Sequence, residues 1–581
     1  TIMRYGLIGN CKTAALVHET GSIDWCCLPN FDSPSAFGRI LDAQGGHFQV
    51  SLAGTAKTSQ VYLPQTNILQ TEFDDGENAF VVLDFMPRYR EGSTYQRPAE
   101  IHRILKPLRG KPLLNISFRP RLNYARGETS IRQRTSVMTA ANNLESIFLY
   151  SSLPLQNIIE EKAISLEKEE YLLLSYHEKV EAPTLAYTHE MFEKTKNYWE
   201  TWSSHCRLPS LYSEAVLRSA LVLKLMTYDE TGAIIAAPTS SLPEILHEER
   251  NWDYRYCWLR DASLMLDALK SIGHFEEARA FIHFLLHLFE SKQAKIQIVY
   301  GIDGRTDLEE KILDHLKGYK GSGPVRIGNN ACHTQQNDIF GEIVNTLYLY
   351  YFHYEFEKMP DEVWSLVKFL VNTIARDWPT EDAGIWEFRH RKAHFTFSKT
   401  LSWVALDRGI KIAQKLKKDY AVANWRPIVE RIRGDIEEKG WNEEQKAYTQ
   451  IYHSSNFDAS LLLMNHYGFI DKKDPRWIST VLRCEESLVK KGYGFRYTAA
   501  DDFGKPKNAF IVASLWIAKA LCSIGEKERG KILFENILSK ANHLGLLSED
   551  IDPETGELLG NFPQAYSHME VINTANRLDQ A

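Results

Sequence analysis

The chain has 581 residues, more than one compact core holds, so two or more domains are expected. Its 44% hydrophobic and 25% charged residues are ordinary for a globular protein. A net charge of −7 without a dominant Lys/Arg cluster excludes an indiscriminate nucleic-acid binder, and no apolar run is long enough to span a membrane. The eight cysteines lack zinc-type spacing and lie in apolar contexts, which predicts buried free thiols in a reducing compartment. The first ten residues lack a basic segment followed by an apolar stretch, so no leader and a cytoplasmic location are expected.

Residues 1–190 read as strands. Runs at 79–86, 113–118, 146–151 and 171–176 are β-rich, and Asp74-Asp75-Gly76 and Ala125-Arg126-Gly127 supply turns between them. Such spacing predicts an antiparallel β-sandwich. From about Met191 the period becomes helical, and 191–210, with Trp199 and Trp202, reads as a linker helix. Ser213 opens a further helix, and Ala278, Phe281, Ile282, Leu285, Leu286 and Phe289 fall on one helical stripe. Val363, Leu366, Val367, Leu370, Val371 and Ile374 form another after Pro360-Asp361; Ser398 and Asn508 precede two more. The helical region, 211–581, has room for on the order of 12 helices at about 30 residues each with its connection. That number suits a double ring of six inner and six outer helices. Periodicity alone leaves a solenoid of helix pairs open, although no strict repeat is visible.

Four segments carry candidate chemistry. In 250–261, Arg260 and Asp261 stand at a helix start, beside Trp258. Together they offer a fork of donors and an acceptor to vicinal hydroxyls; equally, Asp261 could cap the helix while Arg260 pairs with an acid. In 318–329 the glycines lack the Gly-Lys-Ser/Thr ending of a phosphate loop. That segment reads as an irregular loop lining a cleft, with Arg326 as a hydroxyl contact. Gly384-Ile385-Trp386-Glu387 places a carboxyl beside an apolar indole, a setting that raises its pKa. Leu547-Ser548-Glu549 supplies a second carboxyl 162 positions later. Acetal hydrolysis requires such a pair, one acid for the departing oxygen and one carboxylate for water or the anomeric carbon. His247-Glu248-Glu249 and Cys332-His333 lack companion ligands, so no metal or cofactor is expected.

Tyr5-Gly6-Leu7-Ile8-Gly9-Asn10, Gly21-Ser22-Ile23-Asp24-Trp25 and Pro29-Asn30-Phe31-Asp32 resemble the start of prokaryotic members of glycoside hydrolase family 15. The resemblance continues in order through 258–261, 324–329, 338–342, 384–387, Ser398-Lys399 and 561–568. It implies a β-sandwich, a helical linker and an (α/α)6 barrel, with inverting hydrolysis of a terminal α-glucosidic bond. Position by position, Glu387 matches the family's general acid and Glu549 its general base. Arg260 and Asp261 match the pair that grips the non-reducing glucose, with Trp258 and Trp386 walling that subsite. After the acid, Phe388-Arg389-His390-Arg391-Lys392 departs from the smaller residue and glycine common in relatives.

The expected substrate is an oligosaccharide or disaccharide, with glucoamylase-like action on α-glucans placed first and trehalase second. A sugar-sensing regulatory protein without catalysis is the alternative of another class, since regulatory chains of phosphorylase kinase carry a related domain. Retention of both glutamates with Arg260 and Asp261 favours the enzyme. Glu387 is expected to titrate high and Glu549 near its ordinary value. Asp24-Trp25 is open to two readings, a rim over the pocket or a buried sandwich tryptophan.

Overall fold

The computed structural model describes residues 3–290 and 295–581. Its N-terminal part is two antiparallel sheets. One runs, in spatial order, through Tyr5–Gly9, Ala14–His18, Ser22–Cys27, His47–Leu52, Leu113–Arg119 and Ile164–Ser165, with Ser35–Phe37 beside Ser22–Cys27. The other runs through Ser130–Gln133, Met138–Ala141, Ser146–Ser151, Glu170–Tyr176, Glu100–Arg109, Ala79–Phe85, Leu69–Asp74 and Lys57–Tyr62. Period-2 burial puts Phe48, Val50 and Leu52 of the first sheet and Leu69 and Phe73 of the second into one core.

A buried ion pair ties the sheets together. Arg103 donates to Asp84 at 2.7 Å within its own sheet and to the carbonyls of Gly21 (2.7 Å) and Phe48 (2.9 Å) across the core. Each of the three guanidinium nitrogens thereby has a partner, which is the condition for a buried charge to be tolerated. Gly21 has φ +84° here, and a Cβ would stand 2.1 Å from the Val50 carbonyl oxygen.

The linker helix α1 is Leu185–Ser204. It begins six residues before the expected Met191, because Thr184 caps it by accepting the Tyr187 N–H at 3.0 Å. Its Met191 and Phe192 pack on Ile68, Leu83, Phe85 and Ile104 of the second sheet.

Eleven longer helices follow among the described residues: α2 (Ser213–Leu225), α3 (Ala262–Ser271), α4 (Phe275–Leu288), α5 (Asp338–Tyr348), α6 (Asp361–Asp377), α7 (Thr396–Lys415), α8 (Asp419–Asp435), α9 (Pro475–Leu488), α10 (Ile511–Ser523), α11 (Lys527–Ser539) and α12 (Ala565–Gln580). Ser398 does not cap α7, since its hydroxyl donates to Asp382 at 2.8 Å and the helix starts two residues earlier. Neighbours close a ring: α3 touches α5, α5 touches α7, and α7 touches the 3-10 turn Ala459–Leu463. That turn touches α10, α10 touches α12, and α12 returns to α3. Outside it, α2 packs on α12, α4 on α3, α6 on α5 and α7, α8 on α7, and α9 and α11 on α10. Sequence follows layer. Inner α10 is buried from Ile511 to Ala518 on all sides, whereas outer α6 buries only the stripe containing Val363, Val367, Leu370, Val371 and Ile374.

One contact in the ring tolerates no side chain. On α5, a Cβ at Gly341 would lie 1.9 Å from the Leu401 carbonyl oxygen of α7. Gly341→Ala is therefore expected to destabilise the fold by about 3 kcal/mol, seen as a lowered midpoint in thermal unfolding. An unchanged midpoint would mean that the two helices are not in such close contact.

The eight cysteines are all unpaired, and Cys206 and Cys522 alone are not fully buried. Among the described residues no helix is long and apolar enough to cross a membrane. Trp25 takes the second of its two readings. It is buried, and its indole N–H donates to the Pro238 carbonyl at 2.7 Å, joining the sheets to the helical part.

Candidate active site

The segments that enter α3, α7, α10 and α12 all reach one cavity at the N-terminal ends of these helices. Arg260 and Asp261 precede α3, Trp386 to Arg389 precede α7, and Glu549 and Gln564 precede α12. Glu387 and Glu549, 162 positions apart in sequence, line this same cavity.

Glu387 closes a turn, with φ +60° and its N–H on the Gly384 carbonyl at 3.1 Å. Gly384, at φ +74°, is pressed so closely on the Phe395 ring that a Cβ would meet it at 2.9 Å. Below the turn, Asp382 accepts from the Asn337 N–H and the Ser398 hydroxyl, each at 2.8 Å. Glu387 Oε1 accepts the Trp258 indole N–H at 2.9 Å and an Arg260 N–H at 3.2 Å. Burial raises the Glu387 carboxyl above its ordinary range, opposed by the Arg260 charge and the Trp258 N–H.

Arg260 also donates to Asp261 at 2.9 Å and to the Ile385 carbonyl at 3.3 Å. Asp261 does not cap α3 through its side chain; its backbone is left-handed, φ +67°, and its carboxylate faces the cavity. Trp386 lines the cavity among Tyr497, Phe510 and Trp516, with its indole N–H on Asp458 at 2.7 Å.

Two expected wall residues stand elsewhere. Trp258 is buried behind Glu387 and reaches the site only through its hydrogen bond to the carboxylate. Arg326 does not line the cavity. Its Nη1 donates to the backbone carbonyls of Glu249 (2.6 Å) and Asn251 (3.1 Å), and its guanidinium stacks 4.5 Å from the Trp252 ring. Backbone carbonyls thus occupy the Nη1 donors of a side chain that was expected to contact hydroxyls. On Trp252 also lies Arg389, 4.1 Å from the ring centroid, and Arg389 does line the cavity.

Glu549 departs furthest from expectation. It is 2% exposed, and its carboxyl lies within 4.8 Å of those of Glu244 and Asp550. Gln564 donates to Glu549 Oε2 at 3.5 Å, while Oε1 has no partner among the described residues. Burial, then the Glu244 carboxylate, push the Glu549 carboxyl well above its ordinary value; Tyr254 and Arg496 oppose. Arg496 pairs with Glu244 at 3.3 Å. A near-ordinary titration of Glu549 is thus overturned. Among the described residues these three carboxylates are also the one group close enough to meet a single cation.

A profile of glycosyl hydrolases family 15 matches residues 210–576, which contain every residue of this cavity. The chain belongs to glycosyl hydrolase family 15. A second profile, trehalase-like N-terminal, matches residues 1–165 of this family 15 chain. It is 35% identical over 594 residues to a protein named trehalase from Thermoplasma volcanium, spanning 100% of this chain and 94% of that one. It is 35% identical over 613 residues to a trehalase of Mycolicibacterium smegmatis, spanning 98% and 90%. A solved bacterial glucoamylase complexed with acarbose superposes with a TM-score of 0.73 at 13% identity, covering 100% of this chain and 94% of that one. The fold is therefore glucoamylase-like, a sheet domain followed by a helical one.

For this family 15 hydrolase, Glu244, Arg250, Trp252, Tyr254, Arg496, Asp501, Asp502, Phe503 and Tyr566 are cavity residues that the sequence did not single out as such, whereas Arg389 lies in the run after the acid that was expected at the cleft rim. Some had a visible signal: Arg250, Trp252 and Tyr254 belong to the dense polar-aromatic segment, and Arg496-Tyr497 precede Asp501-Asp502-Phe503 in a similar mixture. Glu244 had none.

Proposed function

We propose that this family 15 hydrolase is a trehalase that cleaves its α,α-linkage with inversion, in a site carried by an (α/α)6 barrel. The observation that carries the reading is the meeting of Glu387 and Glu549 in one cavity with Arg260 and Asp261. Relatives named trehalase, 32–35% identical along nearly the whole chain, turn the substrate toward trehalose and reverse the order in which glucans came first. The barrel is supported by the closed ring of six inner segments with six outer helices.

In this mechanism Asp261 and Arg260 hold the hydroxyls of the reacting glucose against Trp386. Protonated Glu387, oriented by Trp258 and Arg260, gives its proton to the bridging oxygen. Ionised Glu549 takes a proton from water attacking the opposite face of the anomeric carbon. Room for that water calls for carboxyls about 6.5–9.5 Å apart. The parts proposed are a sheet domain up to Pro183, the α1 linker and the helical domain from residue 211.

The test is a panel of trehalose, maltose, isomaltose and maltotriose followed by anomer-resolved NMR. Trehalose is expected to have the highest kcat/KM, with α- and β-glucose first appearing in equal amounts. The attacked ring inverts and the departing ring keeps its configuration. Preferential cleavage of maltotriose would return the glucan reading, and α-glucose alone would exclude inversion.

A further inference from the structure

Two separate polar networks line the cavity. One joins Arg260, Asp261 and Glu387. The other is centred on Asp501. It accepts an Arg250 Nη2 N–H at 2.5 Å, the Tyr497 hydroxyl and the Phe503 backbone N–H at 2.8 Å. Arg250 also donates from Nη2 to the Gly504 carbonyl at 3.0 Å. The remaining two nitrogens, Nε and Nη1, are buried and have no partner among the described residues, although Arg250 is only 2% exposed and lines the cavity.

Buried donors without acceptors are costly, and guanidinium N–H groups are suited to hydroxyl and other oxygen acceptors. Beside them stands an aromatic surface: Trp252 meets the Phe503 ring edge-on at 5.5 Å and carries Arg389 on its face. The Arg250 network has no carboxylate in common with Glu387, so it is not required to hold the ring that reacts. It is nevertheless tied to the acid's segment, because Asp502 accepts the Arg389 and His390 backbone N–H groups at 2.6 and 3.3 Å.

We propose that Arg250, fixed by Asp501, is a specificity-determining residue that binds hydroxyls of the departing sugar. The inference rests on the disaccharide reading above. Trp252 itself is held by two guanidinium groups, those of Arg389 and Arg326, 4.1 and 4.5 Å from its ring centroid.

The experiment compares trehalose with α-glucosyl fluoride, whose departing group has no hydroxyls. In Arg250→Met the ratio of kcat/KM for trehalose to that for the fluoride is expected to fall at least 100-fold, mostly through KM. Arg250→Lys, which keeps the charge and loses the fork, should lower the ratio about 10-fold, and serves if the first variant does not fold. Asp501→Asn should lower it in the same direction. Equal losses on both substrates, or an unchanged ratio, would overturn the proposal. If the wild-type protein does not cleave trehalose, the trehalase reading fails by itself, and the same ratio taken with the disaccharide it does cleave still decides Arg250.

Discussion

Glu387→Gln is expected to lower kcat on trehalose about a thousandfold or more while leaving the thermal midpoint within a few degrees of wild type. The magnitude is that of removing a positioned general acid when the departing group is a poor sugar alkoxide. The fold should be insensitive, since a glutamine carbonyl can still accept from Trp258 Nε1 and Arg260 Nη1, the two donors that orient the carboxyl. A specific pattern accompanies the loss. α-Glucosyl fluoride departs as fluoride and needs little protonation, so its hydrolysis should fall far less than that of trehalose. Near-wild-type turnover of trehalose by Glu387→Gln would remove the residue from the acid role.

Glu244→Gln is expected to move the acidic limb of the pH profile downward by about one unit or more. Activity needs Glu387 protonated and Glu549 ionised. The rate therefore rises with pH as Glu549 loses its proton and falls as Glu387 loses its own. Burial and the Glu244 carboxylate hold Glu549 well above the ordinary range, so the rising limb should lie above the usual carboxylate pKa of about 4.3. Two charges within 4.8 Å of each other at an effective dielectric of about 20 repel by about 3 kcal/mol or more, so the Glu244 charge opposes ionisation of Glu549. Taking away the Glu244 charge favours ionised Glu549 and leaves Arg496 to favour it further. The measurement is kcat/KM on trehalose against pH for both proteins. A limb that stays in place would mean that Glu244 does not govern the base, whatever happens to the absolute rate.

The two periods were legible as a sheet part followed by a helical part, while the choice between a ring and a solenoid was not. The β-rich runs at 79–86, 113–118, 146–151 and 171–176 and the stripes at 278–289 and 363–374 are local patterns, and strands and helices stand there. The carboxyl beside an indole at 386–387 was legible for the same reason, since neighbouring residues define one local setting; the turn that Gly384 permits was not read. What failed depended on contacts between distant segments. Arg326 and Arg389 both stack on Trp252, and nothing near either residue tells which guanidinium is consumed by backbone carbonyls and which reaches the cavity. Trp258 is two residues from Arg260, yet the short strand Cys257–Trp258 turns its ring behind Glu387. The titration of Glu549 is raised by burial and then by Glu244, 305 positions earlier, and no spacing announces a partner at that range.

The ring described above is sealed by α12 lying against α3 and α2, and the Asn542 amide reaches back to the carbonyls of Met3 (3.0 Å) and Tyr5 (2.8 Å). The first sheet strand and the inner helix α3 are thus completed by segments far along the chain, so a variant that lacks α12 is expected to lose the ring and expose apolar surface on α3 and α2 together.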